Sequence, residues 1–296
     1  MNESAKQNIS AKPVPNSGGT APPKFIAPEY ACDSHLHIVD IRFPPAVPSA
    51  QTIEGATAED YRLLQQRIGT TRAVIVQPKY FGTDNRCTLD AVMKLGMANA
   101  RGIAVVHPEA SYEELRRLDT GGIRGLRFSV WNPVDTVTTI DMIEPLSKRV
   151  NDLGWHVQLH MSGDQIVENA TLLERLVCPI VIDHMGRMSP QIGLRHPAFK
   201  VICRLMDTGR TWVKLAGAYL NTVSGPPAYA DATAIARAFA EAAPERMIWG
   251  SDWPHVTEKH KPDDALLFDL LTAWFPDEKA RKRVLVDNPA KLYGFV

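Results

Sequence analysis

Eight short runs, all but the first carrying Val or Ile, each followed by a segment of helical pattern, fill the chain after residue 28. The runs span 31–37, 73–77, 102–107, 123–129, 156–160, 179–184, 211–215 and 246–252. The helical patterns span 58–68, 88–99, 112–118, 140–152, 165–177, 198–208, 230–243 and 262–274. An apolar run between helices reads as a parallel strand covered on both faces, because parallel neighbours need a long crossover and that crossover is usually a helix. Eight such units predict the α/β class and a single (β/α)8 TIM barrel over residues 29–296, close to the roughly 250 residues of that fold. An open doubly wound sheet is the competing architecture. It more often carries a GxGxxG turn or a Walker loop, and the sequence has neither. Asn288–Pro289 reads as N-cap and first residue of a closing helix that ends before Gly294.

Residues 1–28 hold five prolines among Ser, Asn, Gly and Lys and offer little apolar surface, so they read as a flexible N-terminal arm. The arm lacks the apolar stretch of a secretory signal, and no run approaches the roughly 18 apolar residues of a membrane span. Basic and acidic residues number 33 each, which gives the chain no electrostatic pull toward nucleic acid or an anionic membrane. Cys32, Cys87, Cys178 and Cys203 form neither a CxxC pair nor a zinc-ligand spacing; they read as inert thiols of a reducing compartment, and the expected location is cytoplasmic.

Catalytic residues of a barrel sit at the C-terminal ends of its strands. Those ends carry His35 and His37, Gln77, His107, Arg127 and Ser129, His160, His184, Lys214 and Asp252. So many imidazoles and charges at one rim point to a polar pocket that handles an anion or a metal. His35 and His37 lie two apart and share a strand face, the barrel interior if Asp33 shares it too. Asp252, with Gly250 leaving room beneath it, is the candidate base or metal ligand; a helix cap or a salt bridge is the plainer role. Arg127 and Lys214 are candidate anion binders, Arg187 a weaker one, and each has an internal ion pair as its structural explanation. Gln77 joins the candidate substrate-binding set. Asp183 is expected to point outward. His156 reads as a core residue, and His196 and His260 as solvated loop residues. Gly82–Asn85 lines the mouth or caps the next helix.

Taken together, these residues resemble the amidohydrolase superfamily. The stretch DSHLH at 33–37 matches its first-strand HxH; His160, His184 and Asp252 match the histidines of strands five and six and the aspartate of strand eight; the tail NPAKLYGF is similar to its closing helix. Arg127 stands where binuclear members carry a bridging Lys or Glu, which argues against two metals. A single Zn or Mn ion on His35, His37, His160 and Asp252 is the metal-bound option, and no cofactor is the leading expectation. The stretches VIVQPKYFGTDNRCTLDA, RGIAVV, GGIRGLRF, PIVIDHMGR and WGSDWPH resemble the lactonase branch that includes 2-pyrone-4,6-dicarboxylate lactonase. His160 departs from that lactonase's strand-five Tyr.

The resemblance implies a small anionic sugar lactone as substrate. The leading expectation is an isomerase that interconverts D-galactaro-1,5-lactone and D-galactaro-1,4-lactone by intramolecular acyl transfer, in sugar-acid catabolism. Asp252 would be the base, His35, His37 and His184 the donors around the carbonyl, and Arg127 and Lys214 the carboxylate holders. A lactonase, a metal-dependent decarboxylase of the same superfamily, and a barrel that binds sugar acids without turning them over are the other readings.

Overall fold

The structure, a computed structural model, describes residues 13–46, 53–134 and 136–296. Eight parallel strands form one sheet in sequential order: β1 (Cys32–Leu36), β2 (Arg72–Val76), β3 (Ala100–Ala104), β4 (Ile123–Ser129), β5 (His156–His160), β6 (Ile180–Ile182), β7 (Thr211–Leu215) and β8 (Met247–Trp249). Just beyond β8 the chain returns to β1: the Asp252 N–H donates to His35 O at 2.8 Å and the His37 N–H to Trp253 O at 2.8 Å. This closes the (β/α)8 barrel that the alternation predicts.

The helices are α1 (Ala58–Ile68), α2 (Arg86–Leu95), α3 (Tyr112–Thr120), α4 (Ile143–Asn151), α5 (Gly163–Glu168), α6 (Ala170–Arg175), α7 (Pro197–Asp207), α8 (Ala230–Ala242), α9 (Asp264–Trp274), α10 (Glu278–Lys282) and α11 (Asn288–Tyr293). The segment expected as one helix over 165–177 is two, broken at Asn169, whose side chain donates back to Gln165 O at 2.8 Å and offers the backbone another partner. Asn288 does not cap the closing helix. It is buried, and its amide donates to Pro244 O and Met247 O, tying the helix beneath β8.

Alternation along the strands builds two apolar layers. Ala73 and Ile75 face the helices, whereas Val74 and Val76 face the barrel axis with Cys32, Ile103, Val181, Trp212 and Ile248. Tyr293 and Phe295 of the C-terminal tail join that inner layer. Arg101 donates to Tyr293 O and Gly294 O, and Arg72 donates to Val296 O. The tail therefore plugs the end of the barrel away from the cleft, leaving the C-terminal strand ends for polar work. Among the described residues, no helix is long and apolar enough to cross a membrane.

Residues 1–12 lie outside the described residues, but 13–28 are docked, which corrects the expected flexible arm over that stretch. Val14 is buried. The Trp253 indole donates to Pro15 O at 2.8 Å, Arg67 donates to Gly18 O at 2.9 Å, and Phe25 stacks on Phe268 with ring centroids 5.2 Å apart. Proline content does not by itself mean disorder: a fixed φ reduces the entropy lost on docking, and each proline still offers a carbonyl. Deleting residues 1–28 is therefore expected to lower the melting temperature by several degrees; an unchanged melting curve would show these contacts to be energetically idle.

Candidate active site

Polar side chains gather at the C-terminal end of the barrel, beside an open cleft of about 960 Å³ lined in part by His37, Arg127, Trp131, His160, His184, Arg187 and Asp252. The first strand supplies two imidazoles. A register shift between Asp33 and Leu36 separates them from Asp33, which accepts from Tyr61 of α1 and from Ser251 instead of sharing their face. Burial pushes the Asp33 carboxyl up to about 6. His37 Nδ1 donates to Val76 O at 2.8 Å, which leaves Nε2 with a lone pair toward the site. His35 is fully buried behind it, with the two Nε2 atoms 3.4 Å apart. Gly250 leaves no room beneath the carboxylate; a Cβ there would lie 2.6 Å from the Cβ of His35, so the glycine lets the backbones of β1 and β8 approach.

Asp252 occupies the centre. Its Oδ1 lies 3.5 Å from His35 Nε2, 3.6 Å from His37 Nε2 and 4.0 Å from His184 Nε2, while Oδ2 accepts from the Tyr219 hydroxyl at 2.7 Å. Burial opposes its charge, but the facing imidazoles outweigh the burial and hold the carboxyl well below its ordinary 3.8. His184 stands on a left-handed turn, φ 50°, that swings its ring into the site. Met185, Arg187, Asp252 and His255 also have positive φ. Such backbone in non-glycine residues is strained and clusters where function demands it. His160 stacks on Trp131, and its Nδ1 faces Ser129 Oγ at 3.0 Å. Burial lowers the affinity of His35, His160 and His184 for protons.

Two of the three expected anion binders face the cleft. Arg127 donates to Gln77 O at 3.2 Å, and its Nε lies 3.7 Å from Asp183 Oδ2 without a hydrogen bond. Arg187 lies over the Trp131 ring, 4.1 Å from its centroid. Lys214 does not reach the cleft. It is fully buried below His35, donating to Gln158 Oε1 at 2.7 Å and lying 3.3 Å from His35 Nδ1 and 3.8 Å from Asp183 Oδ1. Burial pushes its ammonium down to about 8. Gln77 is spent on the loop after β2, where its amide donates to Gly82 O and Asp84 O. Asn85 bridges to the backbone of Val105, so that loop is braced by its own side chains.

Asp183 reverses the outward expectation. It is fully buried, lies 3.3 Å from His35 Nδ1 and accepts from Gln158 at 3.0 Å. His35 and Lys214 overcome the effect of burial and hold its carboxyl well below 3.8. His196 is not solvated; it is buried as the N-cap of α7, whereas His260 is exposed and His156 lies deep against Tyr293. Tyr219, Gln158 and Trp131 complete the surroundings of the site outside the quoted stretches, and His255 ends the stretch WGSDWPH, where sequence alone assigned it no role.

His35, His184 and Asp252 bring ligand atoms within 4.8 Å of one another, with His37 Nε2 at their edge. Two imidazole nitrogens at 3.4 Å beside a carboxylate oxygen need a proton or a cation among them, and this nitrogen–oxygen set fits a zinc-like ion. His184 takes the place expected of His160, which faces Ser129 instead.

A parallel barrel that gathers imidazoles, carboxylates and guanidinium groups at its strand ends has the layout of a barrel enzyme. The chain belongs to the amidohydrolase family, whose model matches residues 32–295. It is 36% identical over 284 residues to a 4-sulfomuconolactone hydrolase of Rhizobium radiobacter, covering 94% of each chain. It is 32% identical to a D-galactarolactone isomerase of Agrobacterium fabrum, covering 93% of this chain and 94% of that one. An apo crystal structure from Agrobacterium tumefaciens superposes with a TM-score of 0.86 at 29% identity, over 95% of this chain and 99% of that one.

Proposed function

We propose that this protein is an enzyme that opens an anionic lactone by hydrolysis. The observation that carries the reading is Asp252, an ionised carboxylate with one oxygen tied to Tyr219 and the other facing three imidazoles beside an open cleft. The similarity to a lactone hydrolase supports it.

In this reading Arg127 and Arg187 hold the substrate's anionic group, since neither guanidinium is paired bidentately with an acid. Asp252 Oδ1 accepts a proton from water as the water oxygen attacks the lactone carbonyl. The ring C–O bond then breaks, and Asp252 returns the proton to the departing oxygen. The product is an open-chain hydroxy acid, with one water added. His184 flanks the oxygen on which charge develops, and a donor aimed there is worth about 2.7–4 kcal/mol in comparable sites. A divalent cation bound by His35, His184 and Asp252 would supply Lewis-acid polarisation or a more acidic water.

A second reading, isomerisation of galactarolactone, is favoured by the similarity to the isomerase and uses the same groups. There the substrate's own hydroxyl replaces water, and its effective molarity can reach about 10⁵–10⁸ M. Proton NMR decides between them. The protein is mixed with freshly made galactaro-1,5-lactone, 4-sulfomuconolactone or 2-pyrone-4,6-dicarboxylate, each with added zinc and with a chelator. Open-chain acid from any of them is the expected result. A 1,4-lactone from the first establishes the isomerase. An unchanged panel overturns both readings.

A further inference from the structure

Behind Asp252 runs a chain of three side chains for which the hydrolytic steps have no use. The Tyr219 hydroxyl lies 2.7 Å from Asp252 Oδ2 and 3.1 Å from His255 Nδ1, and His255 Nε2 lies 3.1 Å from Asp264 Oδ2. His255 and Asp264 are fully buried. The three come from separate places: Tyr219 from the turn Ala218–Asn221 after β7, His255 from the loop after β8, and Asp264 from the first residue of α9. Lys261 adds a further tie by donating to His255 O at 2.7 Å.

Counting protons gives this chain a direction. A phenol has one proton to donate, and a carboxylate only accepts. At 2.7 Å the Tyr219 proton goes to Asp252 Oδ2, so the hydroxyl oxygen is left to accept from His255. His255 must then carry a proton on Nδ1. Its Nε2 faces a second carboxylate, so a proton lies between Nε2 and Asp264 as well. If His255 carried its only proton on Nε2, Tyr219 would turn its hydroxyl toward Nδ1 and release Asp252. With one proton held between Nε2 and Asp264 and a second on Nδ1, the Tyr219 hydroxyl stays turned toward Asp252.

We propose that Tyr219, His255 and Asp264 are positioning residues that fix the orientation of Asp252. By occupying Oδ2 with a donor they leave Oδ1 facing His35, His37, His184 and the cleft. The proposal rests on the reading of Asp252 as the base. Its energetic logic is orientation: a carboxylate free to turn about its last bond aims neither oxygen squarely at the cleft for part of the time, and small misplacements of reacting groups are costly. The left-handed backbone of Asp252, φ 64°, gives a further reason for bracing.

The test uses Tyr219→Phe, His255→Leu, His255→Asn and the double variant Tyr219→Phe/His255→Leu, with a lactone that the wild-type protein opens. Tyr219→Phe should lower kcat by about 10–100-fold, the usual effect of losing a supporting hydrogen bond behind a reactive group, and leave KM nearly unchanged. His255→Leu should lose a comparable factor. The double variant should be no worse than Tyr219→Phe alone, because His255 acts through the hydroxyl. His255→Asn, whose amide N–H replaces the one on Nδ1, should recover most of the loss. Losses that multiply in the double variant, or a His255→Asn variant as poor as His255→Leu, overturn the proposal. NMR of ¹⁵N-histidine-labelled protein, recorded without substrate, separates this from the functional reading. A bound proton on His255 Nδ1, identified by its disappearance in His255→Asn, is expected and should shift in Tyr219→Phe. A wild-type His255 without that proton overturns the proposal whatever the protein does to lactones.

Discussion

Asp252→Asn is expected to abolish lactone turnover while leaving fold and substrate binding in place. Asn keeps the shape of the side chain and a carbonyl oxygen for the Tyr219 hydroxyl, but it cannot take up a proton. Loss of general acid–base catalysis costs about 10²–10⁴-fold. The pH profile carries a sign that can be checked. Because the Asp252 carboxyl is held below its ordinary 3.8, its basic form persists as the solution is acidified, and any acid limb assigned to it lies below that value. Stability linked to the same shift is present above 3.8 and is lost as pH falls through the lowered value. Steady-state rates and equilibrium binding of the variant decide the matter. A variant that retains more than about a tenth of the rate moves the base to another group, and His37, whose Nε2 lone pair faces the site 3.6 Å from the carboxylate, is the next candidate.

Asp183→Asn should show the largest effect on stability. The wild-type carboxylate lies 3.8 Å from the buried Lys214 ammonium and 3.7 Å from Arg127, and all three are almost wholly out of water. Removing one member of a buried ion cluster leaves the others uncompensated and costs about 3–5 kcal/mol, out of a total stability of about 5–15 kcal/mol. The deficit should depend on pH. Lys214 has a folded value lowered from 10.5 to about 8, so the folded state releases its proton first and the wild-type protein gains stability as pH rises between those two values. Without the neighbouring carboxylate the ammonium gives up its proton at still lower pH, so the variant gains stability over a wider window. Urea denaturation at neutral and at alkaline pH should therefore show the gap between the two proteins closing. A gap that stays constant would mean that Asp183 does something other than offset Lys214.

The barrel was legible because its signal is repeated in eight separate places, and errors of a few residues at strand ends do not disturb the alternation. The imidazoles and Asp252 were legible for a related reason: strand ends of a barrel converge wherever the loops lead. Depth was harder to read. Lys214 shares the inward face with Trp212 but lies one layer too low to reach substrate, and a linear sequence does not say where the barrel floor stops. Parity accounts for two positions. Val181 faces inward, so Asp183 two residues later does too; Val74 and Val76 face inward, so Gln77 does not. His184 has the wrong parity and reaches the site only because its backbone turns left-handed, which no periodicity foretells. Tyr219 and His255 come from loops whose paths are set by packing, so nothing in their spacing announced that they would meet Asp264.

The left-handed backbone at His184, Met185, Arg187, Asp252 and His255 bears on how this enzyme would respond to breeding for robustness. Each such position costs roughly 1–3 kcal/mol, and glycine, which adopts positive φ freely, would relieve it. A library screened for heat tolerance alone would thus be drawn to the site, and its hardiest survivors would lack His184, Arg187 and Asp252, which face the cleft, and His255 behind them. Directed evolution for durability would do better to hold these five codons constant and explore the outer faces of the helices, where sturdiness and chemistry do not compete.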